Sequence, residues 1–152
     1  MRTASLALIA ATLTGTLNPL HGQQIDPRLR GNWTLDLSKS TFGPDGAPSA
    51  GVVRWTAHGW VLALAFPGGY LYADAVVTDH GCALIGVSPG NHCSLRVLSP
   101  THLRFTLREG QAVRRVGDIE LVAADTTRTV HRVTPRTGPP FTETTYWGRD
   151  KR

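Results

Sequence analysis

The sequence predicts an all-β protein: a single antiparallel up-and-down β-barrel of about eight to ten strands, preceded by an N-terminal signal peptide. Three observations carry this expectation. After Gly31, apolar and polar residues alternate in short runs, the period of half-buried strands. Clusters of Gly, Pro, Asp or Ser interrupt those runs about every ten residues, the spacing of turns between short strands. No window beyond the N-terminal segment carries an apolar stripe at helical spacing. The composition agrees, because 16 glycines and 10 prolines among 152 residues are heavy for a helical bundle and ordinary for many strands and turns. With 41% hydrophobic and 18% charged residues the chain is not a disordered one, and two cysteines are too few for a disulfide-dense miniprotein or a Cys-rich zinc module.

Met1 and Arg2 form a short positive start, and residues 4–17 are an apolar, small-residue run too short to span a bilayer. Polar Asn18, Pro19, His21 and Gly22 follow, so residues 1–22 read as a signal peptide, 23–30 as an N-terminal extension and 31–152 as the barrel. No cysteine follows the apolar run, which argues against a lipid anchor; the expected location is the periplasm or the extracellular space.

The strands follow in chain order. The first starts at Gly31. Residues 59–66 place Trp60, Leu62, Leu64 and Phe66 on one face with Val61, Ala63 and Ala65 behind them, so this strand is apolar on both sides. Pro67-Gly68-Gly69 turns the chain into residues 70–77, where Tyr70, Tyr72, Asp74 and Val76 share a face opposite Leu71, Ala73, Ala75 and Val77. A strand around Cys82 leads to residues 94–98, with Cys93, Leu95 and Val97 on one side. Residues 101–108 alternate Leu103, Phe105 and Leu107 against His102, Arg104, Thr106 and Arg108. Strands at 111–116, 119–123, 127–133 and 141–147 complete the pattern.

Export gives the cysteines their meaning. Outside the reducing cytosol Cys82 and Cys93 are expected to form a disulfide, which at this loop length stabilises by about 3 kcal/mol. A tight type II turn through Ser88-Pro89-Gly90-Asn91 would instead set Cys82 against Val97, so the bridge requires a wider loop over residues 86–92. A redox or metal-binding pair is the functional alternative, but ten intervening residues are not the spacing of such sites.

The block Gly31-Asn32-Trp33-Thr34-Leu35, continuing through Lys39-Ser40-Thr41-Phe42 to Ala47-Pro48, resembles the opening of a family of uncharacterised secreted bacterial proteins with a lipocalin-like barrel. The segments 123–130 and 137–141, with Tyr146, are similar to that family's closing hairpin and last strand. The cysteine pair and the apolar strand 59–66 depart from its pattern. Gly-x-Trp at a first strand is also similar to lipocalins and fatty-acid-binding proteins, where the Trp closes one barrel end. That resemblance implies Gly31 and Trp33 as a structural plug: glycine permits close approach, and the indole supplies bulk with one N–H to satisfy.

No motif names a reaction. The histidines at 21, 58, 80, 92, 102 and 131 show no ligand spacing, so no metal and no cofactor are expected. Gly-x-Ser-x-Gly and His-Glu-x-x-His are absent, Ser88 reads as turn chemistry, and no catalytic residue is assigned. A barrel of this size is either filled or holds one small ligand. If it is open, Trp60, Leu62, Leu64 and Phe105 are expected to line it. Tyr70, Tyr72 and Asp74 add a polar spot if their face points inward, and are a solvated face if Leu71 and Ala73 point inward instead.

Without residues 1–22, 15 basic and 11 acidic residues remain, 13 of the basic ones arginine. Arg96, Arg104, Arg108, Arg114, Arg115, Arg128 and Arg132 on successive polar strand faces read either as a stripe for an anionic surface or as a plain solvated exterior. Nucleic acid is disfavoured by export and by the lack of a binding module. Three functions stay in view: a non-enzymatic carrier or sensor of a small hydrophobic molecule, an envelope protein-binding barrel such as a protease inhibitor, and a barrel-cavity enzyme of isomerase or cyclase type.

Overall fold

The computed structural model describes residues 24–78, 81–85 and 91–151. The expected signal peptide, the tight turn at Ser88–Pro89–Gly90, His21 and His80 lie outside the described residues. Among the described residues ten strands follow one another: β1 (Gly31–Thr41), β2 (Ala50–Trp55), β3 (Gly59–Phe66), β4 (Gly69–Thr78), β5 (Gly81–Ile85), β6 (Asn91–Ser99), β7 (His102–Glu109), β8 (Ala112–Ala123), β9 (Thr126–Val133) and β10 (Phe141–Arg149). Each pairs antiparallel with its sequence neighbours, and β1 pairs with β10 to close the ring. Among the described residues no helix is long and apolar enough to cross a membrane.

The period-2 faces fall as the alternation predicts on β3, β6 and β7, where Trp60, Cys93, Leu95, Leu103 and Phe105 are buried. Two elements differ from the expectation. β2 is additional to the expected strands, with Gly51, Val53 and Trp55 alternating inward within it. The two strands expected at 111–116 and 119–123 are one strand, β8, because the Gly117-Asp118 pair that reads as a break is paired in register with β9.

The barrel has one sealed end. There residues 24–30, within the N-terminal extension, fold back under the strands and bury Ile25 and Leu29 completely beside Trp33. The Trp33 Nε1–H donates to the Leu29 carbonyl at 2.9 Å, and the Arg149 guanidinium stacks over the indole at 4.2 Å. Arg149 also donates to the Arg30 carbonyl at 2.8 Å, so the last strand holds the segment in place. Gly31 makes the transition with φ of 113°, a conformation that favours glycine. At the opposite end the 42–49 loop crosses the mouth, pinned by Ser49 N–H to the Ala65 carbonyl at 2.7 Å.

Cys82 and Cys93 stand directly opposite one another in the β5–β6 pairing. This is the wider-loop register and not the one centred between Pro89 and Gly90.

Candidate functional site

Between the two ends the barrel encloses a cavity of about 250 Å³. Its walls differ in chemistry because different strands supply them. From β1 to β4, Leu35, Val53, Trp55, Trp60, Leu62, Leu64, Phe66, Leu71 and Ala73 form an apolar wall, and Phe105 and Ile119 extend it. Trp60 packs against Trp55 at 6.2 Å between ring centroids and edge-on to Phe105 at 5.6 Å, so the floor is fixed by aromatic contacts.

The facing wall, from β8 to β10, is polar. Thr127, Thr129 and His131 point inward from β9, Thr145 and Glu143 from β10, and Arg115 from β8. Register sets them side by side, with Thr129 opposite Thr145 and His131 opposite Glu143. Trp147 Nε1–H donates to the Thr145 hydroxyl oxygen at 3.0 Å. Arg115 Nη1 sits 3.0 Å from Glu143 Oε2, and the Gly43 N–H donates to Oε1 of the same carboxylate at 3.3 Å, so Glu143 ties the mouth loop to the polar wall. Gly43 itself lies against the Phe141 ring, where an added Cβ would come within 2.1 Å.

His131 is held neutral: burial first, and the nearby Arg115 charge second, push its pKa down to about 3. Its ring occupies the space left by Gly117, where a Cβ would stand 2.9 Å from Nδ1. That nitrogen is sealed from solvent and has no hydrogen-bond partner among the described residues.

Of the residues expected to line an open interior, Trp60, Leu62, Leu64 and Phe105 do so. Tyr70, Tyr72 and Asp74 do not. Tyr70 is 89% and Tyr72 53% exposed, because the strand turns its more apolar side, Leu71 and Ala73, to the cavity. Arg115 differs in the opposite sense, lying in the cavity wall and not on the exterior. A β-bulge between β7 and β8 pairs Leu107 with Arg115 and Arg108 with Val113, leaving Arg114 as the extra residue and aiming Arg115 inward. The interior His131, Glu143 and threonines were missed. The signal for them existed, since 127, 129 and 131 are out of phase with the outward arginines 128 and 132.

The arginines read as a stripe are interleaved with acids. Asp118 accepts from Arg104 at 2.8 Å and Arg132 at 2.6 Å, Glu120 pairs with Arg128 at 2.5 Å, and Glu109 holds Arg114 at 2.9 Å and Arg136. Among the described residues no group of three His, Cys, Asp or Glu side chains is placed to hold a metal ion. No family model, curated protein or solved structure matches this chain.

Proposed function

We propose that this protein is an exported, non-enzymatic, lipocalin-like carrier or sensor that takes one small, largely apolar molecule into its barrel. The observation that carries the reading is the cavity of about 250 Å³ with its continuous apolar wall and few convergent polar groups, the composition of a small-molecule pocket. Its three lining tryptophans, Trp55, Trp60 and Trp147, supply the assay. Titration with the neutral fluorophore N-phenylnaphthylamine is expected to give saturable energy transfer from the tryptophans, and Ala73→Trp, which fills the cavity from β4, is expected to abolish it. Absence of saturable uptake by the native protein overturns the reading. A covalent Cys82–Cys93 bridge belongs to the same reading, supported by their direct opposition; two titratable thiols in the unfolded, unreduced protein would exclude it.

A second reading rests on the exterior. Val52 at 54% exposure, Tyr72 and Tyr70 follow one another across the outer face of β2 to β4, joined through Ala63 and Ala65, which favours a protein-binding barrel. Retained partner capture by Ala73→Trp together with its loss in Tyr70→Ser, Tyr72→Ser would select this reading over the carrier.

A further inference from the structure

We propose that the barrel selects uncharged amphipathic molecules, with a hydroxyl or carbonyl group facing the threonine strip, and discriminates against the ionised carboxylate of a fatty acid. This rests on the ligand-binding reading above and specifies its substrate class. The argument is one of charge balance inside the cavity. Among the described residues the polar wall contains one interior cation, Arg115, and its charge is already matched at 3.0 Å by Glu143. Glu143 is buried, and its second oxygen is engaged by the Gly43 N–H. An incoming carboxylate would have to displace Glu143 from Arg115 and leave a buried anion unpaired, or sit beside it and repel it. His131 supplies no alternative positive charge, since burial and Arg115 keep it neutral.

The remaining polar groups on that wall are uncharged. Thr127, Thr129 and Thr145 are buried and lie along the cavity from the sealed end towards the mouth. Each hydroxyl has one proton to donate and lone pairs to accept, so the strip serves alcohols, ketones, esters or amides equally well. The Thr145 oxygen already accepts from Trp147, which directs its own proton elsewhere. A neutral ligand can therefore satisfy its polar group here without disturbing the ion pair, while its hydrocarbon part rests on the wall of β1 to β4.

The test compares decanol with decanoate, which share a chain and differ in charge, as displacers of bound N-phenylnaphthylamine at about pH 8, where a carboxylic acid is ionised. Decanol is expected to displace the fluorophore at least about tenfold more effectively, the scale of an uncompensated buried charge. Glu143→Gln, which frees Arg115 while keeping an oxygen for Gly43, is expected to reverse that preference. Thr129→Val, an isosteric change that does not touch the ion pair, is expected to lower decanol affinity severalfold relative to the fluorophore. Equal or better displacement by decanoate in the native protein overturns the selectivity while leaving ligand binding standing. If the fluorophore itself does not bind, the carrier reading and this inference fall together.

Discussion

Gly117 and His131 face each other across β8 and β9, and the imidazole fills the space that a Cβ at 117 would need. Gly117→Ala puts a methyl 2.9 Å from Nδ1 and 3.1 Å from Cε1, and the resulting overpacking is expected to cost about 1–3 kcal/mol, read as a lower urea midpoint with an unchanged slope. The same imidazole gives the protein an acid-sensitive step. Above its ordinary pKa of 6.5 the ring is neutral in folded and unfolded chains alike. Below that value the unfolded chain binds a proton that the folded barrel accepts only near pH 3, so stability falls as pH drops through this window. His131→Gln is expected to flatten that part of the stability curve. Asp118 acts lower on the scale. Partial burial alone would raise its carboxyl, but the hydrogen bond from Arg104 and the charges of Arg104 and Arg132 outweigh it and hold the group below 3.8. Its contribution is present above the carboxylate range and is lost as pH falls through it.

At the level of elements, the alternation that located β3, β6 and β7 failed where something other than periodicity decides which way a residue points. Arg115 is inward because a bulge inserts Arg114, and no local pattern distinguishes a bulged Arg-Arg pair from an exposed one. The polar wall was hidden for a related reason: period two separates faces but does not say which is inside, and sequence reading assigns the polar face outward. On β9 both faces are polar, so the inward one shows only in its phase opposite Arg128 and Arg132 and in its cross-strand partners. The 24–30 segment was illegible in another way, being too short and irregular to show a period. Yet Leu29 is fully buried and its carbonyl accepts the Trp33 indole N–H. Leu29→Ala is expected to destabilise the fold by about 2–5 kcal/mol in denaturant titration, whereas a loss below about 0.5 kcal/mol, the range of surface substitutions, would mean that the segment is no part of the core.

For the molecule as a whole, the sequence made the class of fold plain and left the interior undecided. The difference between a filled and an open barrel rests in part on a small residue, Ala73, at a lining position where a larger one would close the space. The excess of basic residues is partly offset on the surface, since Asp118 and Glu120 on β8 sit against Arg104, Arg128 and Arg132 of the neighbouring strands. Exposed pairs of this kind are screened by water and salt, so they shape the exterior more than they stabilise it.

Both described ends of the chain meet under the plug: the Ile25 N–H is bonded to the Ala57 carbonyl, and the Asp150 N–H to the Asn32 carbonyl, on the side away from the 42–49 loop. A tether joined to either end therefore points the mouth away from whatever it is fastened to. A barrel anchored by its tail to a bead, a filament or a neighbouring domain still faces the solution from which it loads.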